Sequence, residues 1–321
     1  MTTNAEPVAI EEIRAARERI ADAVVRTPLV RLNLEDTPAE IYLKLENLQP
    51  IGSFKLRGAG NAMLSAPREQ LAQGVWTASA GNMAQGVAWY ARRLGVPCTV
   101  VAPDHAPETK LAAIKRLGAE VVKTPFDSWF RILSTREFPG MHGVFVHPVS
   151  DRAVMAGNGT IGLEIFEDLP EVDAIVIPYG GGGLSSGIAS AFHALKPATR
   201  VYACEVSTAA PLAPSFAAGS PQEVEYTATF VDGMGGPRVL ADMWPLVSQL
   251  LDGSLVVELD EIAAAIRLLA ERNRIIAEGA GASPVAAALA GKAGTGKVVC
   301  VVSGGNLDTS KLVTILEGGV P

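Results

Sequence analysis

The sequence predicts an α/β protein of two lobes built on mostly parallel sheets. From about residue 74, strand-like and helix-like segments alternate. Three near-continuous apolar runs, 173–178, 200–205 and 297–303, suit strands covered on both faces. The chain has 321 residues, 48% hydrophobic and 19% charged, which suits two lobes with a large core and excludes intrinsic disorder.

The elements follow in order. Ile10, Ile13, Ala16 and Ile20 recur at helical spacing with charges between them, an amphipathic opening helix. Residues 40–46 alternate and read as a strand. A turn at 50–52 leads to a helix starting near Ser53, which suits an N-cap. Val75–Ala78 is a strand, 82–94 a helix closed by Gly95, and 97–102 a strand. A helix over 107–117 opens at Pro107 and closes at Gly118, followed by strands at 120–123 and 143–146. Helices at 184–195, 260–273 and 283–290 flank the three apolar strands. No repeat or Ser/Gly-rich linker separates the lobes, so they are read as interleaved. A small domain is expected at 75–148, with a large domain from 1–74 plus 149–321.

The bulk properties exclude several classes. A net charge of −7 leaves no basic face for nucleic acid. Met-Thr-Thr-Asn-Ala-Glu at the N-terminus lacks a basic stretch followed by an apolar run, so no signal peptide is expected. No apolar run is long enough for a bilayer, so no membrane partner is expected. Cys98, Cys204 and Cys300 each lie in an apolar run and read as buried thiols of a cytoplasmic protein. Without a secretory signal the Asn158-Gly159-Thr160 sequon carries no meaning.

Four segments carry chemistry. In Gly52-Ser-Phe-Lys55-Leu-Arg-Gly-Ala59 a lysine stands at a helix start, where the dipole and poor solvation disfavour ammonium. A neutral amine is what Schiff-base chemistry needs. Thr77 to Gly86 joins a strand to a helix through Ser79-Ala80-Gly81-Asn82, small residues that let backbone N–H groups approach a carboxylate. Gly180-Gly181-Gly182-Gly183-Leu184 lies between a buried strand and a helix, where converging N–H groups can hold a phosphate. Ser303-Gly304-Gly305-Asn306 ends the last apolar strand, where ligands gather in open sheets. Gly291 to Lys297 matches part of a P-loop, but Val298 follows where Ser or Thr should bind magnesium, and the segment precedes a strand. No Gly-x-Gly-x-x-Gly with an acid in register supports a dinucleotide site.

Taken together, these segments resemble the fold-type-II pyridoxal-phosphate enzymes, nearest the threonine/serine dehydratase and serine racemase branch. The resemblance runs from Arg26-Thr27-Pro28-Leu29 to Asn306. It implies two three-layer αβα lobes of the tryptophan synthase β type, with pyridoxal 5′-phosphate as cofactor. It implies that Lys55 carries the cofactor and acts as base. Phe54 would pack on the ring, Asn82 would bond the ring hydroxyl, and Ser303 would meet the ring nitrogen. Gly180, Gly181, Gly182, Gly183 and Leu184 would bind the phosphate. Ser79, Ala80, Gly81, Asn82 and Met83 would hold the substrate, and Glu278 would be an acid near the cofactor. The implied reaction removes water and ammonia from L-threonine, L-serine or a related β-hydroxy amino acid, giving a 2-oxo acid. The resemblance also implies a homodimer.

The chain departs from the family pattern in places. Ala80 stands where the racemase branch has a second catalytic serine, which favours elimination over racemisation. Met83 replaces a usual histidine, pointing to a larger or less polar substrate, and Asn158 replaces a usual glutamine. The family often has a divalent-cation site after the strand ending at Glu205. Here Glu205 and the Ala209 carbonyl match, but Pro211 replaces a carboxylate, so magnesium or calcium would be weakly held. The chain ends soon after the last segment, so isoleucine control through a C-terminal regulatory domain is not expected. The rival readings are a dehydratase for hydroxyaspartate, phenylserine-like or hydroxyectoine-pathway substrates, a serine racemase, a cysteine-synthase-like β-replacement enzyme, and a cofactor-binding protein without turnover.

Overall fold

The computed structural model describes residues 6–321; Met1 to Ala5, part of the stretch read for a leader, lie outside the described residues. The strands are β1 (Leu29–Arg31), β2 (Glu40–Leu45), β3 (Val75–Ala78), β4 (Cys98–Pro103), β5 (Glu120–Thr124), β6 (Val144–Phe145), β7 (Ala174–Pro178), β8 (Arg200–Val206), β9 (Gly253–Val257) and β10 (Lys297–Val302). The helices are α1 (Ile10–Ile20), α2 (Lys55–Ser65), α3 (Arg68–Ala72), α4 (Asn82–Leu94), α5 (Glu108–Arg116), α6 (Phe126–Thr135), α7 (Arg152–Asp168), α8 (Gly183–Leu195), α9 (Leu212–Ala218), α10 (Trp244–Leu250), α11 (Leu259–Leu268), α12 (Gly279–Leu289) and α13 (Thr309–Leu316).

Two sheets result. The larger runs β1-β2-β10-β7-β8-β9 and the smaller β5-β4-β3-β6. Every neighbouring pair is parallel except β1 with β2. In the larger sheet Val176 stands opposite Cys300 on one side and Tyr202 on the other. Its central strands β7 and β10 are almost wholly apolar because each face meets helices. Leu43, Val176 and Val302 share a core with Ile266 of α11 and Val285 of α12. The alternate residues Ile175, Ile177 and Val301 pack with Ile13 of α1, Ile161 of α7 and Ile188 of α8. The smaller sheet is also covered twice. Val75 and Val100 pack with Val87 of α4 and Leu111 of α5, while Trp76 and Val101 pack with Ile132 of α6. Leu56, Ala59 and Met63 of α2 join the first of these clusters.

Several elements differ from the sequence reading. Residues 260–273 are helical throughout, but the last turn differs: α11 ends at Leu268, and a π turn over Leu269–Asn273 closes with Arg274 in the left-handed region at φ 60°. Helix α12 starts at Gly279 instead of near 283. Ser53 does not cap α2. Phe54 holds that position, and the buried Ser53 hydroxyl has no partner among the described residues. The Ser53 backbone instead bridges to Gly304, which ties the start of α2 to the end of β10. Among the described residues no helix is long and apolar enough to cross a membrane.

Candidate active site

The carboxyl end of β10 and the turn before α2 are clasped together. Phe54 N–H donates to the Ser303 carbonyl at 2.9 Å, and Gly305 N–H to the Gly52 carbonyl at 2.9 Å. This brings Phe54, Lys55 and Ser303 to one place. The Lys55 Nζ lies 5.1 Å from the centre of the Phe54 ring. It donates to the Pro148 carbonyl at 2.7 Å. Burial pulls its pKa down to about 8, against a weaker upward pull from the Glu278 carboxylate.

Below Lys55, on the same helix, Arg57 is fully enclosed. Its guanidinium donates to both Glu46 oxygens at 2.8 Å and to Glu164 at 2.6 and 2.9 Å. Lys44 Nζ adds a 2.6 Å bond to Glu164 and another to the Thr27 carbonyl. Two cations and two anions thus balance inside the protein and hold α2 against β2 and α7. Burial alone would lower Arg57, but Glu46 and Glu164 outweigh it and keep the guanidinium charged.

Asn82 and Glu278 meet across the cleft. Asn82 Nδ2 donates to Glu278 Oε1 at 2.8 Å, and Asn306 Nδ2 donates to Asn82 Oδ1 at 2.8 Å and to the Ile51 carbonyl at 2.9 Å. Burial, then the Asp232 charge, push Glu278 up to about 7, while the Asn82 bond and Lys110 act the other way. Asn306 follows β10, and its bond to Asn82 is a contact between distant parts of the chain that the local sequence does not mark.

The glycine turn joins β7 to α8. Gly182 adopts φ 97°, and a Cβ on Gly183 would lie 2.4 Å from the Val149 carbonyl, so both positions require glycine. Among the described residues the N–H groups of Gly180, Gly181, Gly182, Gly183 and Leu184 find no acceptor. Open donors at the start of a thirteen-residue helix suit a phosphate. Asn158 Nδ2 donates to the Gly183 carbonyl at 3.1 Å and secures the turn from α7. Pyridoxal phosphate needs a poorly solvated amine, an anion cradle and polar groups for its ring. The buried amine, the unpaired N–H groups and the Asn82–Glu278 pair fit it.

The remaining expected residues divide. Ser79 accepts the Gly81 N–H on its own hydroxyl at 3.2 Å, and the Ser79-Ala80-Gly81 turn stays only partly buried at the start of α4. Met83 is 1% exposed in the apolar cluster with Leu56, Ala59 and Val87. Its side chain is core, not a wall offered to substrate, so the larger-substrate expectation loses its basis. The cation site also fails. Glu205 Oε1 accepts the Leu212 N–H at 2.8 Å, and Oε2 accepts Ala213 N–H at 2.9 Å and the Ser254 hydroxyl at 2.6 Å. With Pro211 beside it, the carboxylate ends the turn from Ala209 into α9 and burial raises its pKa. Among the described residues no group of three or more His, Cys, Asp or Glu could hold a metal.

Known proteins resemble this chain in sequence and fold. The family model described as pyridoxal-phosphate dependent enzyme matches residues 20–304. The chain is 44% identical over 315 residues to an L-threonine ammonia-lyase of Geobacter sulfurreducens, covering 96% of this chain and 78% of that one. It is 40% identical over 316 residues to the catabolic L-threonine dehydratase of Escherichia coli, covering 96% of each. The structure of maize serine racemase superposes with a TM-score of 0.89 at 33% identity, covering 97% of this chain and 98% of the other. The family match, the identities and the shared fold agree: the chain belongs to the pyridoxal-phosphate dependent enzymes, in the fold-type-II threonine/serine dehydratase family.

Proposed function

We propose that the chain is an ammonia-lyase converting L-threonine or L-serine to a 2-oxo acid and ammonia. The observation that carries this reading is the buried Lys55 amine, held near pKa 8 by burial, beside a cradle of unpaired backbone donors. When bound, the cofactor would supply an aldehyde for the substrate amine and a ring to draw on the electron pair left at Cα. Lys55 takes the Cα proton, and its lowered pKa gives it more neutral amine near pH 7 than an exposed lysine has. The Ser79-Ala80-Gly81 turn and Asn82 orient the substrate carboxylate at the start of α4. Phe54 would pack on the ring and Asn82 would bond its hydroxyl, with Glu278 behind Asn82. Ser303 would meet the ring nitrogen with a hydroxyl, which would not protonate it as an aspartate would. The ring would then be a weaker electron sink, which would favour loss of the β-hydroxyl over reprotonation at Cα.

The same reading divides the chain into a small domain at 75–148 and a large one from 1–74 plus 149–321. It makes the protein cytoplasmic, in keeping with its buried thiols, and a homodimer, as the family resemblance implies. The test is a panel of β-hydroxy amino acids and O-acetylserine with sulfide, offered to the cofactor-loaded protein. Threonine and serine should give 2-oxo acid and ammonia, and Lys55→Ala should lose turnover and the visible absorbance of bound cofactor. Turnover retained by Lys55→Ala would refute the assignment.

A further inference from the structure

Resting on the Lys55 and glycine-turn assignments, we propose that His147 is a positioning residue. Its neutral Nε2–H form holds the turn that connects the lysine to the phosphate cradle. The turn over 147–151 touches both parts of the site. Its Pro148 carbonyl accepts from Lys55 Nζ at 2.7 Å. Its Val149 packs beneath the glycines: a Cβ on Gly181 would lie 2.7 Å from Val149 Cγ1, and one on Gly183 2.4 Å from the Val149 carbonyl. Whatever fixes this turn fixes the reach of the amine and the floor of the cradle together.

The fixing group is an imidazole with no exposed surface. His147 Nδ1 accepts the Val149 N–H at 3.0 Å and the Ser150 N–H at 2.8 Å, and the Ser150 hydroxyl, which accepts from Arg136, lies 3.2 Å from it. A nitrogen accepting two backbone donors carries no proton itself. The ring proton is therefore on Nε2, which lies 2.9 Å from the Leu133 carbonyl of α6 and donates to it. The tautomer follows from the partners on both sides. A second proton would place an N–H against two N–H groups and break the turn. The charged groups around the ring are Asp151 at the start of α7, Arg136 after α6, and Asp242 before α10. Asp151 is already engaged: it accepts the His147 N–H at 2.7 Å on Oδ2 and pairs with Arg136 through Oδ1. Burial lowers the His147 pKa, in keeping with a ring that stays neutral.

Three variants separate this role from packing. His147→Asn keeps an acceptor near the Nδ1 position, His147→Gln keeps a donor toward Leu133, and His147→Leu keeps neither. The readout is the dissociation constant of pyridoxal phosphate, followed by fluorescence from pH 5.5 to 8. His147→Asn should stay within about three-fold of wild type at pH 8, while Gln and Leu variants should weaken binding at least ten-fold. Because the ring stays neutral, the ratio of wild-type to His147→Asn affinity should hold across this range. Equal losses in the Asn and Leu variants overturn the proposal. Should the variants not fold, nitrogen-15 NMR of the wild-type ring decides: a neutral Nε2–H form supports it and an Nδ1–H form overturns it. Wild type that binds no pyridoxal phosphate at all would sink the site assignment itself, a separate result.

Discussion

Ala80 lies in the turn after β3, where its neighbour Ser79 spends its hydroxyl on the Gly81 N–H at 3.2 Å. Racemisation needs an acid on the face of Cα opposite the base. With a methyl at 80, the turn offers no second hydroxyl for that work. The wild-type chain is therefore expected to eliminate water from L-serine at least ten-fold faster than it makes D-serine. Ala80→Ser should raise D-serine formation about ten-fold or more, read by chiral chromatography of product mixtures. Fast serine racemisation by the wild-type chain would show that the acid comes from elsewhere. Single residues also mark the limit of sequence reading. Lys55 was legible because its neighbours form a pattern, whereas His147 lies in no such pattern and gains its role from Val149, Ser150 and Leu133.

The glycine turn is a matter of how one strand end meets one helix start. At Gly183 the obstacle to a side chain is the Val149 backbone, at 2.4 Å from a Cβ, which cannot yield without moving the 147–151 turn. At Gly180 the nearest atom is Met234 Cα at 3.6 Å, an ordinary contact. Gly183→Ala is therefore expected to weaken cofactor binding at least ten-fold, and Gly180→Ala by no more than about three-fold, both by fluorescence titration. Equal losses would mean that the turn acts as a loose loop rather than a fitted cradle. Elements with one exposed face, such as α1 and α4, were readable from period alone. Helix α7 was not. It is buried on nearly every side from Val154 to Ile165, so no polar stripe marks it, and its glycines let α2 and α8 approach closely. Ser53 has the residue type of a cap, but the fold puts Phe54 at that place and pairs the Ser53 backbone with Gly304, a partner far along the chain.

For the molecule as a whole, the site is a place where folding carries ionisable groups out of water. Lys55 and Glu278 are both held toward their neutral forms, to about 8 and about 7. A carboxyl raised in the folded state binds its proton more tightly there than in the unfolded chain. Its burden on stability is thus absent well below pH 4.5, grows as pH rises toward 7, and is constant above. A rise from 4.5 to about 7 corresponds to roughly 3 kcal/mol when fully expressed. Glu278→Gln keeps an oxygen for the Asn82 amide and removes the titration. With cofactor removed, the variant should melt about 5 °C above wild type at pH 8, with roughly a quarter of that gain at pH 5. Calorimetry at the two pH values checks this. A gain that is equal at both, or larger in acid, would mean that Glu278 is stabilised by its surroundings and that its place in the site carries no cost to the fold. A pH-dependent gain with lower turnover would show a site in which stability is given up for chemistry.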